Sequence, residues 1–370
     1  MKKHALSAML FILFLSTALV ACSKNEPVQA DTKGQAAGTS NPPAELKPIT
    51  LSVGLLKLAG GVPLYLASEK GFFKEEGITV DYKWFDSSNA VNVAVASNNV
   101  DVGAAGFTAD LYNMVAAGQK VSIVADKGKE EKGYQLSALL VHKDSPIKTI
   151  EDLKGKKIGL TTIGSSNHYM SVRILEKHGM TVKDAELVPM NTTRGQMEAL
   201  KGKNVDAIIL NTSNITVALK EGYARVLANV ADEMTYQSTG TFISPKFAEN
   251  KDAAVRFLRA YVKGMRYYHD AVLMRKDGQL VKGQNYDEVV KIVAKYTEQP
   301  EDIIRESFPY MDRDGKLMVD DIQTQIDWYT KEKLMPKPLQ VKDIVNTELL
   351  DEALKTLKTN VIALIMERVS

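Results

Sequence analysis

Residues Ile49–Trp84 read ITLSVGLLKLAGGVPLYLASEKGFFKEEGITVDYKW, and the stretch alternates between two kinds of local structure. Ile49 to Leu55 is a short apolar run rich in β-branched residues, which predicts a strand. Pro63 to Lys70 has helical spacing and stops at Gly71, and Ile78 to Trp84 is a second strand. The alternation continues outward from there. Ser88 to Ser97 reads as a helix closed by Asn98 and Asn99, Val100 to Gly103 as a third strand, Leu111 to Ala117 as a helix halted by Gly118, and Val121 to Ala125 as a fourth strand. Strands and helices in strict alternation predict a parallel sheet covered by helices on both faces.

The theme then repeats. Leu136 to Val141 is a strand with the character of a crossing segment, and Thr149 to Leu153 is a short helical turn. Lys157 to Leu160, Glu186 to Met190, Ala207 to Leu210 and Arg225 to Asn229 read as strands, separated by helices over Ser166 to His178, Arg194 to Lys201 and Ile215 to Glu221. Gly240 to Ile243 returns the chain toward its first half. From Asp252 onward helices dominate, over Ala253 to Asp270, Tyr286 to Tyr296, Pro300 to Ser307, Val319 to Glu332, and Thr347 to the end. The expected architecture is α/β, a two-lobed clamshell with two crossing segments and a helical C-terminal region. Lobe I is expected over 49–137 plus 241–370 and lobe II over 138–240. Ligands in such sheets bind beyond the carboxyl ends of the strands, so the cleft between the lobes is the expected site.

Upstream of this body, residues 1–21 have the form of a secretory signal. Lys2 and Lys3 precede an apolar run from Ala8 to Leu15 that is too short for a bilayer span, and small residues lead to Cys22. Leu19-Val20-Ala21-Cys22 resembles the lipobox of bacterial lipoproteins. That resemblance implies lipidation of the Cys22 thiol, which then heads the mature chain. Cys22 is the only cysteine, so no disulfide is available. Residues 22–48 are rich in Ser, Asn, Gly, Pro and Gln without apolar periodicity, which predicts a lipidated Cys followed by a flexible linker. The expected location is extracytoplasmic and membrane-anchored, on the periplasmic side or the cell surface.

Composition narrows the function. Of 370 residues, 45% are apolar, and 47 Lys and Arg stand against 45 Asp and Glu. Without the two lysines of the signal the balance is neutral, and no basic block or basic aromatic stripe occurs, which argues against nucleic acid as a partner. No later run of about 18 apolar residues exists to cross a membrane. The body is longer than one hydrophobic core usually serves, in keeping with two lobes.

The order of the segments carries a family resemblance. Ile49 to Phe73 is followed by Glu76-Gly77-Ile78-Thr79-Val80, then by Ser97-Asn98-Asn99-Val100-Asp101-Val102-Gly103. Asp144 to Gly159 (DSPIKTIEDLKGKKIG) and Gly164-Ser165-Ser166 come next. This order is similar to the solute-binding proteins of ABC importers for nitrate, sulfonates and taurine, related to the thiamine-pyrimidine-precursor binding proteins. Asn98-Asn99 departs from the small-Gly pattern of that family. The resemblance, over residues 49–350, implies a fold like the type II periplasmic binding proteins and a small organic anion in the interlobe cleft. It also implies a monomer that partners permease subunits in the inner membrane, with ATP hydrolysed on a separate subunit and no catalysis by this chain. Two other readings stay open. One is an enzyme of the same fold acting on a pyrimidine-like metabolite, favoured if His168 stood beside a carboxylate; the cysteine-rich motif of the pyrimidine-synthesising enzymes is missing from the sequence. The other is a ligand-sensing module of a membrane receptor.

The candidate ligand-binding residues lie in the turns after strands. Ser87, Ser88 and Asn89 follow the strand ending at Trp84, and Gly164, Ser165 and Ser166 form the counterpart turn in the second lobe. Each set serves as a plain helix cap, or presents amides and hydroxyls to an anionic head. In the Lys57-Leu58-Ala59-Gly60-Gly61 loop, Gly60 permits close backbone approach or merely a tight turn, and Lys57 is an anion partner or an ordinary exposed lysine. Phe107 and Thr108 follow the third strand, where the ring either covers an organic substituent or joins the core. Arg194 offers a planar fork suited to a carboxylate or sulfonate, or is a solvated first-turn residue. Asn211 caps the helix after Leu210 and faces the same end.

Asp312-Arg313-Asp314-Gly315 has the start of a calcium loop, but Leu317 stands where glycine is needed and Gln323 where glutamate is, so a turn is expected. The five histidines show no ligand spacing, and neither a metal nor a cofactor is expected. The final helix carries an apolar stripe of Leu350, Leu354, Leu357 and Val361, for packing on the lobes or docking a partner.

Overall fold

The computed structural model describes residues 46–134 and 136–369. The expected signal segment, Cys22 and the linker as far as residue 45 lie outside the described residues. From Leu46 onward the chain forms one compact unit.

Its first half contains β1 (Ile49–Leu55), α1 (Val62–Glu69), α2 (Phe72–Glu75), β2 (Ile78–Trp84), α3 (Ser88–Ala96), β3 (Val102–Gly106), α4 (Ala109–Ala116) and β4 (Ser122–Glu130). After β5 (Ser137–His142) come β6 (Lys157–Leu160), α5 (Ser166–Lys177), β7 (Glu186–Pro189), α6 (Thr193–Lys201), β8 (Ala207–Asn211), α7 (Thr212–Lys220), β9 (Ala224–Asn229) and α8 (Val230–Glu233). β10 (Tyr236–Ile243) leads into α9 (Pro245–Ala248), α10 (Lys251–Tyr268), α11 (Tyr286–Thr297), α12 (Glu301–Arg305), α13 (Val319–Lys331) and α14 (Glu348–Val369).

Two five-stranded sheets result, in the orders β2-β1-β3-β10-β4 and β7-β6-β8-β5-β9. β1 lies parallel to β2 and β3, and β6 parallel to β7 and β8, as strand–helix alternation requires. Each sheet is mixed, its parallel strands coming from the strand–helix alternation and its antiparallel one from a crossing segment. β10 runs antiparallel between β3 and β4, and β5 runs antiparallel between β8 and β9. The reason is connectivity. Each crossing strand leaves one sheet at its carboxyl edge and enters the other from that facing edge, so it must run against its new neighbours.

Strand limits shift for a related reason. β4 extends to Glu130, well beyond the Ala125 expected from hydrophobicity, because Asp126, Lys127 and Glu130 are buried charged residues within a paired strand. β10 begins at Tyr236, paired with Glu130, rather than at Gly240. β3 is displaced toward Gly106, where it meets β10 at Thr239.

Packing ties the halves together. One core unites β1, α1, α10 and α14, and it buries Leu350, Leu354 and Leu357 of the final helix; the side chain of Val361 lies outside the described residues. A second core joins α4 of the first half, α5 of the second and α13 of the C-terminal region. Tyr112 and Tyr169 stand 5.8 and 5.7 Å from Tyr329, and Tyr169 stacks on Tyr236 at 4.9 Å. The segment 312–315 is a turn, in which the Asp312 carboxylate accepts the backbone N–H groups of Asp314 and Lys316.

Candidate functional site

The carboxyl edges of the two sheets face one another across a cavity of about 140 Å³. Four helices begin at its wall. Ser87 caps α3 by accepting the Ala90 N–H at 3.2 Å, and Ser87, Ser88 and Asn89 all line the cavity. Ser165 caps α5 through the His168 N–H, leaving Ser166 and Asn167 in the lining. Thr192 caps α6 through the Gly195 N–H, with Asn191 and Thr193 in the lining. Asn211 caps α7 through the Asn214 N–H and itself lines the cavity, followed by Thr212 and Ser213. A small hydroxyl or amide residue directly after a strand does two jobs in such a fold. It starts the helix, and it puts the helix's free N–H end at the sheet edge. Each such end carries about half a positive elementary charge, so the four together favour an anion.

Lys127, on β4, is the cation of the wall. Its side chain is 9% exposed, and among the described residues it makes no hydrogen bond or ion pair. Burial pushes its ammonium down to about 8, partly opposed by the neighbouring Asp126. Asp126 is itself raised to about 6 by burial, although it accepts the backbone N–H groups of Gly128 and Asp312 and the Gln237 amide. Asp86 also contributes to the wall, on its solvent-exposed rim. Leu56, Leu58, Met170, Ile209 and Pro309 supply apolar surface, and no aromatic ring occurs in the lining among the described residues.

The two halves touch beside this cavity. Ala109 donates its N–H to the Gly164 carbonyl at 2.8 Å. Gly106 donates its N–H to Ser88 Oγ at 3.0 Å, and a Cβ at Gly106 would stand 3.1 Å from Ser88 Oγ and 3.2 Å from Ser166 Oγ.

Of the candidates read from the sequence, Gly60, Ser87, Ser88, Asn89, Ser166 and Asn211 are brought together in the lining. The others sit elsewhere, each for a definable reason. Lys57 is drawn outward, pairing with Glu298 at 2.6 Å and lying over the Trp84 ring. Phe107 is fully buried against Tyr112 and Phe242, as a core ring. Thr108 is occupied in capping α4, and it also accepts from the Asn92 amide. Gly164 meets the opposite half through its backbone, and Ser165 is buried beneath the turn as a cap. Arg194 is exposed in the first turn of α6, outside the lining.

His168 is likewise outside the lining. Its Nδ1 accepts the Gly164 N–H, its ring stands edge-on to Trp328, and burial pushes it down to about 4. The carboxylate neighbour that general-base chemistry would need is not found beside it among the described residues.

Sequence reasoning missed Lys127, because a lysine in a charged run reads as the end of a strand. It also missed Thr161 and Thr162, although their place at the carboxyl end of β6 was the available signal.

The family model described as NMT1/THI5 like matches residues 60–271. A Bacillus subtilis protein named for binding aliphatic sulfonates is 25% identical over 303 residues, 79% of this chain and 85% of its own length. A 4-amino-5-hydroxymethyl-2-methylpyrimidine phosphate synthase from Aspergillus parasiticus is 31% identical over 156 residues, 40% of this chain and 44% of its own. Among solved structures, the periplasmic aliphatic sulphonate binding protein SsuA from Escherichia coli has a TM-score of 0.66 at 21% identity, covering 81% of this chain and 93% of that one. The periplasmic nitrate-binding protein NrtA from Synechocystis PCC 6803 has a TM-score of 0.65 at 14% identity, covering 84% and 89%. These likenesses establish the two-lobed fold of the periplasmic binding proteins.

Proposed function

The chain belongs to the NMT1/THI5-like family, and from that premise we propose that it is the extracytoplasmic solute-binding component of an ABC importer, holding a small organic anion between its two lobes. The observation that carries this reading is the convergence of four helix N-termini, α3 from one half and α5, α6 and α7 from the other, on one cavity. An anion seated there bridges both halves. It therefore favours the closed arrangement over an open one by its difference in affinity for the two, and the closed form is what a permease would recognise. In this reading the lobes are 49–137 plus 241–370 and 138–240, acting within a monomer.

The names of the relatives support an aliphatic sulfonate or a nitrate-like anion. Among the described residues the lining is mostly Ser, Thr and Asn with some aliphatic side chains and no aromatic ring, so a flat heteroaromatic ring, which the pyrimidine-enzyme reading requires, would find no stacking partner there. Leu19-Val20-Ala21-Cys22 further supports a lipid anchor at Cys22; radiolabelled fatty acid should enter the wild-type chain and not Cys22→Ala.

The functional reading is tested by thermal unfolding against aliphatic sulfonates, nitrate, small carboxylates and pyrimidines. A selective rise in midpoint without consumption of the compound is expected, because a ligand of the folded state stabilises it. No shift across the panel, or turnover of one compound, overturns the reading.

A further inference from the structure

We infer that the Lys127 ammonium is the counter-ion of the bound solute, so that the pocket retains ligands of net negative charge and rejects neutral molecules of the same shape. This rests on the reading of the cleft as an anion site and goes beyond it. Helix ends alone attract any group rich in acceptors, whereas a full cation discriminates by charge.

Three observations meet at Lys127. The side chain is nine-tenths buried in the wall of the cavity, with no hydrogen bond or ion pair to any described residue. Its amine occupies space kept open by a glycine: a Cβ at Gly60, itself in the lining, would stand 3.1 Å from Nζ. The nearby carboxylates are otherwise engaged. Asp126 is taken up by the N–H groups of Gly128 and Asp312 and by Gln237, and Asp86 lies on the exposed rim, where water screens it. An ammonium buried without a partner is costly, and burial already lowers its proton affinity. An anion entering the cavity removes that cost, and a neutral ligand leaves it standing.

The test uses calorimetric titration of the full-length chain, in detergent micelles, with 1-propanesulfonate and nitrate as anions and 1-propanesulfonamide as a neutral match to the first. Wild type should bind an anion, and Lys127→Met should lose about 10- to 100-fold in affinity for it, the range of a hydrogen bond to a charged group. Affinity for the sulfonamide should be weak and the same in both proteins. Without ligand, Lys127→Met should melt at or above the wild-type temperature, since the substitution removes an unpaired buried charge. Gly60→Ala, which crowds Nζ and keeps the charge, should weaken anion binding alone.

Anion affinity within twofold of wild type in Lys127→Met overturns the inference and leaves the anion-site reading intact. A lower melting temperature for ligand-free Lys127→Met marks the lysine as structural and also overturns it. If wild type binds neither anion, the anion-site reading falls and Lys127's role falls with it.

Discussion

Glu130 occupies the last position of β4, where the chain leaves the first sheet for the second, and it is fully buried. Its Oε2 accepts the Ser137 N–H at 3.3 Å, while Oε1 has no partner among the described residues. Burial pushes the carboxyl up to about 7, against the opposing pull of Ser137 and the Leu136 amide. The sign for stability follows directly. Between the ordinary glutamate value near 4.5 and about 7, the folded chain holds a proton that the unfolded chain has released. This group's contribution is therefore whole below about pH 4.5 and is lost as the pH rises through about 7. Glu130→Gln keeps an acceptor for Ser137 and cannot ionise, so it should stabilise the protein by roughly 1–3 kcal/mol above pH 7 and change little at pH 4. Asp126, raised to about 6 by burial, remains in that variant, so a loss of stability as the pH rises from about 4 through 6 should persist in it. Chemical denaturation as a function of pH reads both effects, and identical profiles for variant and wild type would show that Glu130 ionises freely in the fold.

Helix starts are where structural and binding roles lie side by side. In the turn before α5, Ser165 is buried and holds the cap, while its carbonyl accepts from the Tyr329 hydroxyl of α13 at 3.3 Å. Ser166, one residue on, lines the cavity. Ser165→Ala should therefore cost about 1 kcal/mol of stability through the lost cap and leave ligand affinity nearly unchanged. Ser166→Ala should leave the melting temperature within a degree or so and weaken binding several-fold, the worth of one hydrogen bond. Melting curves paired with ligand titrations separate the two, and a reversed pattern would exchange the roles of the residues.

At the scale of the molecule, the halves are joined by two exchanged strands and by the aromatic seam of Tyr112, Tyr169, Tyr236 and Tyr329, and they meet again beside the cavity. The contacts there are the backbone bond from Ala109 to Gly164 and the hydroxyls of Ser88 and Ser166 above Gly106, and on the α7 side Thr212 Oγ1 donates to the Ser307 carbonyl and Lys220 pairs with Asp302. Polar contacts between the halves part more readily than a buried aromatic seam, so opening is expected to break them first. Gly106→Val drives a branched side chain against both hydroxyls and should hold the two halves apart at this point. Affinity for the solute should fall about tenfold, and X-ray scattering should register less compaction on adding it than in wild type. Unchanged affinity and unchanged compaction would mean that the halves do not close over Gly106.

The amino-acid sequence by itself determined the alternation of strands and helices, the capping turns at Ser87, Ser88 and Asn89, at Ser165 and Ser166, and at Asn211, and hence the sheet edge at which a ligand would sit. Those features are local, since a cap or a periodicity is complete within a few residues of chain. The tertiary structure alone decided that β10 separates β3 from β4, that Phe107 is a core ring, that Lys57 turns to Glu298, and that Lys127 faces the cavity unpaired. Each of these depends on partners remote in sequence, as Lys127 depends on the space above Gly60 and on a strand returning from the other half. A charged residue in the middle of a buried strand leaves no local trace of its burial, because its environment is made entirely by the packing of distant segments.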